Sequence, residues 1–401
     1  MRIGMMADLY KPHISGVTNY IDLNKRYLER LGHEVFVFTF KDNNYEDEEE
    51  HVIRSPGISV LDFGFSVNLR FSREARNILK TMDIVHVHHP FVSGSLTVSF
   101  CKRRKIPIVF TNHTRYDLYV QAYLPPFAEA IGETAIETFI PAFCRAVDLV
   151  ITPSAGMMGV LKKLGVDSEI VVVPNGVDIK RFQEVSQKQD RSLLGFNQDD
   201  VLLAFVGRLG AEKNLPFLLR SFAGAFQAYN QIGLILIGDG PERENLKHLV
   251  HHMEIEDRVK FTGLIPYIEL PKYLAMADAF VTASVTEVHP LSVIEAMATG
   301  LPVLGIQSPG VGDTVVDGET GYLAKDEDLA AFTAKLVKLI ADGDKRKEMG
   351  NQGRLLSEQY SIERTSEIIL DYYRNIIRKS EGRKRGIRMR MNKLFSGRNN
   401  S

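Results

Sequence analysis

Three stretches of the sequence gather side chains able to grip an anion or a polyol. In Phe205-Val206-Gly207-Arg208-Leu209-Gly210-Ala211-Glu212-Lys213-Asn214, a β-branched and aromatic run stops at Gly207 and two cations follow within six residues. Arg208 can hold phosphate oxygens through a planar fork, and Lys213 adds a mobile point charge. The plainer alternative is a solvated loop. In Thr286-Glu287-Val288-His289-Pro290-Leu291-Ser292-Val293-Ile294-Glu295-Ala296, two carboxylates stand eight positions apart across a helix start. Each can accept hydrogen bonds from neighbouring hydroxyls of a sugar or ribose. Ser292 reads as an N-cap or first-turn residue, so amides around Leu291–Val293 face outward toward an anion. A helix-dipole acid, worth only ~0.3–1 kcal/mol, is the rival for either carboxylate. Glu295, however, is flanked by Val293, Ile294, Ala296 and Met297, poor surroundings for a surface acid. The third stretch, Lys11–Asn19, leads from a strand into a helix; Gly16 there would let a phosphate approach backbone amides closely. It is neither a G-x-G-x-x-G fingerprint nor a Walker loop, and an ordinary turn is its alternative reading.

These loops need a scaffold. Short β-branched runs alternate with amphipathic stretches, first at Arg2–Met6, Glu34–Phe40, Asp83–Val87, Ile106–Thr111, Asp148–Pro153 and Glu169–Val173. A second series follows at Val201–Val206, Leu234–Ile237, Arg258–Thr262, Ala279–Ala283 and Pro302–Gly305, with helices predicted at Leu215–Tyr229, Arg243–Met253, Leu270–Ala277, Ser292–Thr299 and Leu329–Asp342. Strand–helix alternation predicts α/β architecture with parallel sheets covered on both faces. Two series predict two Rossmann-like domains facing each other, 1–175 and 176–360, joined at the turn-rich Pro174-Asn175-Gly176-Val177-Asp178. One sheet of a dozen strands is the alternative, although open sheets rarely exceed ~10. Ligands of such sheets bind beyond the carboxyl ends of the strands, so the central cleft should hold the chemistry.

The other wall offers histidines. Asp83-Ile84-Val85-His86-Val87-His88-His89-Pro90 puts His86 and His88 on one face of a strand, and His113 lies in Thr111-Asn112-His113-Thr114-Arg115-Tyr116 after the next. A zinc reading finds no third ligand at a convincing spacing, so no metal site is expected. Histidines bonded to backbone are the structural alternative. Asp326–Asp328 and Asp342–Asp344 mimic a metal-binding D-x-D but read better as solvated helix ends. Tyr116, Tyr119 and Tyr123 share a helical face ahead of Pro125-Pro126. Such a stripe is either core or a binding surface at the cleft mouth.

Composition bounds the rest. Hydrophobic residues at 44% and charged residues at 25% describe a globular chain. Two cysteines, Cys101 and Cys144, suit a reducing cytoplasm better than a disulfide framework. No apolar run reaches the length of a membrane span, and Asp8 interrupts any signal-peptide core. The net charge of −1 conceals an asymmetry: residues 378–401 hold nine basic residues and one acid, a net +8 that leaves −9 on residues 1–377. A nucleic-acid coat is not expected of an acidic body. The tail mixes cations with Ile387, Met389, Met391, Leu394 and Phe395, which suits an anionic membrane surface, where each basic residue contributes ~1 kcal/mol. A solvated disordered tail and a nucleic-acid patch are the alternatives.

Taken together, G-R-x4-K after a strand, E-x7-E before Ala-Met-Ala-Thr-Gly-Leu-Pro-Val, and Pro-Asn-Gly-Val-Asp at the boundary resemble the retaining glycosyltransferases of family 4, with the GT-B fold. The resemblance runs from Arg2 to about Tyr373. It implies a nucleotide-sugar donor held mainly by the second domain. Arg208 and Lys213 would hold its diphosphate, Glu287 the sugar hydroxyls, Glu295 the ribose, and backbone at Gly16, Gly207, Leu291 and Ser292 the phosphates. Leu264 or Ile265 would meet the base, and His88 and His113 the acceptor or donor sugar. A helix at 361–377 would cross back to the first domain, ahead of the tail at 378–401. Ser15 departs from a second glycine common in relatives, and Val288-His289-Pro290 from Gly-Phe-Gly. The His-Thr-x-Tyr stretch and its tyrosines look like the diacylglycerol glucosyltransferase branch, with Tyr116, Tyr119 and Tyr123 as acceptor contacts. The implied activity is metal-independent and cofactor-free hexosyl transfer from a UDP-sugar, as in UDP-glucose, to a membrane lipid, by a cytoplasmic enzyme peripheral to the inner face of the cell membrane. Rivals are GDP-mannose with a phosphoinositol or soluble glycan acceptor, a UDP-sugar epimerase, and a non-catalytic sugar-nucleotide binder.

Overall fold

The structure, a computed structural model, describes every residue except 14, 42–44, 46, 57, 61–64, 68–69, 119–125 and 397–401; for 58–60, 65–67, 126–131, 133 and 383–396 it describes the backbone alone. Fifteen strands are defined among the described residues. The first lobe contains β1 (Arg2–Met6), β2 (Glu34–Phe40), β3 (Val52–Ser55), β4 (Ile58–Val60), β5 (Phe65–Val67), β6 (Ile84–Val87), β7 (Ile108–Thr111), β8 (Leu149–Thr152) and β9 (Ile170–Val172). The second contains β10 (Val201–Val206), β11 (Ile232–Ile237), β12 (Val259–Gly263), β13 (Ala279–Val281), β14 (Val303–Ile306) and β15 (Gly321–Ala324).

Seven strands pair in the order β3-β2-β1-β6-β7-β8-β9 and six in the order β12-β11-β10-β13-β14-β15, all parallel; β4 and β5 form a separate antiparallel pair. Parallel strands need crossover helices, which cover both faces, and this is why the strands read as unbroken apolar runs. Phe38, Val85, Val87, Ile108 and Phe110 fill one face of the first sheet; Ile3, Met5, Val35, Val37 and Val109 fill the other. The second sheet divides likewise, with Leu203, Phe205, Leu234 and Leu236 on one side and Leu202, Ala204, Ile235 and Phe280 on the other. In each sheet the chain starts in the middle, builds outward, then returns to build the other way. That reversal opens a crevice between β1 and β6 in one lobe and between β10 and β13 in the other, where doubly wound sheets bind ligands.

Two chain crossings join the lobes, and they hold each other. Val177 N–H donates to Tyr360 O at 2.9 Å, and Ile362 N–H donates to Val177 O at 2.9 Å. Gly176 has to be glycine here, since a Cβ would lie 2.2 Å from Thr365 Oγ1. The last helix then packs on the first lobe through Ile369, Leu370, Tyr373 and Ile376. Ser366 Oγ lies 3.1 Å from Asn24 Oδ1 in buried surroundings. This helix spans Ile362–Ser396, so it does not stop at 377 where the sequence reading ended it; it carries eight of the nine cations expected in a separate tail.

Candidate functional site

The four loops at the two crevices line the cleft. After β10, a tight turn at Ala211–Lys213 ends on Asn214 in the left-handed region (φ 50°), which asparagine tolerates, and Pro216 opens the following helix Leu215–Ala228. This hinge aims Lys213 across to the loop after β13, where its Nζ meets Glu287 Oε1 at 2.5 Å. The two loops are also tied by backbone: Ser284 and Thr286 hydroxyls both donate to Glu212 O at 3.3 Å. Arg208 is exposed on the same turn and lies near enough to His13, in the loop after β1, to help hold that imidazole below its ordinary pKa, after burial as the main cause. A second-lobe cation thus lies close to the first lobe's loop after β1.

Two helices start from the loops after β1 and β13. The helix Gly16–Arg30 begins after Ser15, whose Oγ accepts from Thr18 N–H at 3.1 Å. Ser15 therefore satisfies one of the helix's first amides itself. A Cβ on Gly16 would meet no protein atom within 4 Å, so packing does not explain that glycine. The helix Leu291–Thr299 starts after Pro290, placing the amides of Leu291, Ser292 and Val293 in its first turn, where none has an intrahelical acceptor. Ser292 is therefore a first-turn residue rather than the cap. Gly207 carries backbone only, and its carbonyl lies under Gly238: a Cβ there would sit 1.9 Å from that oxygen.

Glu295 is buried in that helix, and Tyr267 donates to its Oε1 at 2.7 Å. Burial pushes its carboxyl up to about 7, against the Tyr267 hydrogen bond and the Arg181 charge, which both lower it. Leu264 stands 65% exposed after β12, whereas Ile265 packs into the second-lobe core. Of the two, Leu264 presents the more exposed apolar face.

On the first-lobe wall the histidines form a row. His86 contacts Tyr373 Oη at 2.5 Å through Nδ1 and Thr111 Oγ1 at 2.6 Å through Nε2. His88 Nδ1 lies 3.0 Å from His113 Nε2. His88 is fully buried while His113 is half-buried, so the structure places His88 one layer behind His113 rather than beside it at the surface. Burial holds His86 at about 3 and keeps both His88 and His113 well below the ordinary imidazole range, so all three rings are neutral. Tyr116 packs edge-on against Phe91, with ring centroids 5.0 Å apart, and joins the first-lobe core. That is the core alternative for the tyrosine stripe; Tyr119 and Tyr123 lie outside the described residues.

Several positioning residues were not picked out from sequence. Val288 crosses the cleft into the first lobe's core. Asn175 Nδ2 donates to His289 O at 3.0 Å, and the His289 ring meets Tyr360 edge-on at 5.0 Å, fastening the glutamate loop to the hinge. Gly310 lies so close that a Cβ would sit 2.3 Å from Glu287 O. Asp8 receives Ser93 N–H at 2.6 Å and donates its own N–H to His89 Nδ1 at 3.2 Å, linking the loops after β1 and β6. The Gly238-Asp239-Gly240-Pro241 loop after β11 was findable, being glycine-rich and strand-terminal. The Asp326–Asp328 and Asp342–Asp344 pairs sit at helix ends: Asp328 accepts from Ala331 N–H and Asp342 from Lys345 N–H, each at 2.8 Å. Among the described residues no three His, Cys, Asp or Glu side chains group so as to hold a metal ion.

Two doubly wound lobes with a cationic, amide-lined cleft between them define the GT-B class of glycosyltransferases. Sequence comparison places the chain within that class. Residues 14–181 match Glycosyltransferase Family 4, and residues 186–356 match Glycosyl transferases group 1. The chain is 34% identical over 361 residues to the alpha-monoglucosyldiacylglycerol synthase of Streptococcus pneumoniae, covering 86% of this chain and 79% of that protein. It is 30% identical over 344 residues to the enzyme of the same name from Acholeplasma laidlawii, covering 82% and 86%. The chain belongs to glycosyltransferase family 4. Its fold is also that of a sucrose-phosphate synthase from Thermosynechococcus elongatus (TM-score 0.79, 23% identity, 94% of this chain and 99% of that one). Anabaena Alr3699/HepE, solved with UDP and glucose, shares the fold at a TM-score of 0.73 and 19% identity, over 94% of this chain and 100% of that one.

Proposed function

We propose that this chain is a retaining, metal-independent hexosyltransferase that moves glucose from UDP-glucose to a membrane lipid such as diacylglycerol. The observation that carries the reading is the meeting of Lys213 and Glu287 at 2.5 Å, where the loops after β10 and β13 converge just ahead of the helix that starts at Leu291. That arrangement suits a sugar diphosphate: cations and amides for its phosphates, a carboxylate for its hydroxyls. The resemblance adds front-side attack, in which the departing diphosphate takes the proton of the acceptor hydroxyl. Arg208, Lys213 and the amides of Gly16, Leu291 and Ser292 then stabilise charge growing on the leaving group, usually a large term in catalysis. Glu295 orients the ribose, Leu264 covers the base, and His113 faces the sugar from the opposite wall.

The lipid acceptor rests on the two alpha-monoglucosyldiacylglycerol synthases among the relatives. No described helix is long and apolar enough to cross a membrane. A cytoplasmic enzyme held at the inner leaflet by its basic final helix fits the charge distribution. Release of UDP or GDP is measured with UDP-glucose, UDP-galactose and GDP-mannose, each with and without diacylglycerol. UDP release from UDP-glucose that depends on diacylglycerol is expected; conversion of the donor without an acceptor, or turnover with none of them, overturns the reading. Full-length protein should also pellet with anionic vesicles more than residues 1–377, and equal pelleting removes the role of the last helix.

A further inference from the structure

One nitrogen of His88 is buried and has no partner among the described residues. Its Nδ1 faces His113 Nε2 at 3.0 Å, while its Nε2 is enclosed without a hydrogen-bond partner among those residues. The ring is clamped in place: His86 lies against it with centroids 4.3 Å apart, and Tyr20 meets it edge-on at 5.6 Å. Tyr20 also lies 4.7 Å from the His113 ring, so both imidazoles are held by one side chain of the helix Gly16–Arg30. One proton must lie between His88 and His113, because two facing lone pairs would repel. It can belong to either ring.

The choice determines what His113 offers the cleft. If His113 donated from Nε2, His88 would accept at Nδ1 and carry its own proton on Nε2, a buried N–H with no acceptor. Orphaned buried N–H groups are rare in folded proteins, and under-satisfied acceptors are the more common exception. If His88 donates from Nδ1, only a bare lone pair is left enclosed, and His113 carries its proton on Nδ1. The two nitrogens of an imidazole face away from each other, so a ring whose Nε2 points inward to the buried His88 turns Nδ1 outward.

We propose that His88 is a positioning residue that donates from Nδ1 to His113 Nε2 and thereby locks His113 as a neutral Nδ1–H hydrogen-bond donor toward the cleft. A neutral donor with one fixed tautomer offers an N–H to an oxygen of the bound sugar or diphosphate, and costs nothing to reorganise when the substrate arrives. His86 backs the stack: its nitrogens are both engaged, by Thr111 and by Tyr373 of the last helix. The assignment rests on the glycosyl-transfer reading for its purpose, but not for its test.

The tautomer is read directly from ¹⁵N-histidine correlation spectra of the whole protein, with the His113 signals assigned by their loss in His113→Gln. The expected spectrum shows His113 protonated at Nδ1; protonation at Nε2 overturns the proposal. Two variants of near-identical shape then separate donation from packing. His88→Asn keeps an N–H donor near the place of Nδ1, whereas His88→Asp offers only acceptor oxygens and moves the His113 proton to Nε2. His88→Asn should retain kcat within about 10-fold, and His88→Asp should lose ~10²-fold or more, with KM for the donor little changed in both. Equal losses in the two variants refute positioning by donation. If His88→Asp does not fold, the wild-type spectrum decides alone. Absence of turnover in the wild type would strike at the proposed function and leave the tautomer result standing.

Discussion

Replacing Lys213 by alanine separates catalysis from stability. In the structure the ammonium meets Glu287 Oε1 at 2.5 Å, and the two side chains are 18% and 21% exposed. A pair with that much solvent access contributes ~0–1 kcal/mol to folding. For a lobe of this size, 1 kcal/mol moves Tm by only ~2–4 °C. If Lys213 instead stabilises charge developing on the diphosphate, its loss removes a preorganised stabiliser worth ~2.7–4 kcal/mol, which is ~10²–10³ in kcat. The two effects differ enough to be told apart. Steady-state UDP release with UDP-glucose and diacylglycerol gives kcat and KM, and a thermal melt of the same preparation gives Tm. Lys213→Ala should lose at least ~10²-fold in kcat with Tm nearly unchanged. A variant within about 3-fold of wild-type kcat would refute the leaving-group role.

Two further perturbations probe the same cleft. Glu295 is raised from 4.5 to about 7 by burial, so between those pH values the folded chain holds a proton that the unfolded chain has lost. Stability from this group therefore falls as pH rises from 4.5 to about 7 and stays lower above it. Glu295→Gln, which keeps an acceptor for Tyr267, should raise stability on the order of 1–3 kcal/mol near pH 8 and leave it unchanged near pH 4.5, as read by thermal melts at both pH values. No pH-dependent difference would show that the carboxyl is not raised. Gly310→Ala should push the Glu287 loop outward, since the new Cβ would lie 2.3 Å from Glu287 O. A loss of ~10-fold or more in kcat/KM with an intact melt is expected, and wild-type kinetics would show that the loop position is not critical.

Much of the fold is legible in the sequence because parallel strands buried on both faces cannot alternate polar with apolar residues. Arg2–Met6, Glu34–Phe40 and Val201–Val206 therefore stand out with the ends the structure gives them. Two of the four edge strands escaped: β3 is interrupted by Arg54, which pairs with Asp47, and β15 is a four-residue strand that begins with Gly321, whereas β9 and β12 at the other edges were legible. The site loops were findable from topology, as they follow the strands at each crevice. Depth was not. His88 and His113 look equivalent in sequence, and only the packing of Tyr20 and His86 shows that one lies behind the other. Val288 likewise resembles any apolar loop residue until the facing lobe supplies its core. Charge composition suggested a separate tail after 377, but composition does not report that the helix continues through the cations.

The most direct test is a structure of the protein bound to UDP. The diphosphate is expected between the lobes, within hydrogen-bonding distance of Arg208 and Lys213 and facing the N-termini of the helices Gly16–Arg30 and Leu291–Thr299. A nucleotide bound in the cleft with its phosphates directed away from both cations, or bound outside the cleft, would contradict it.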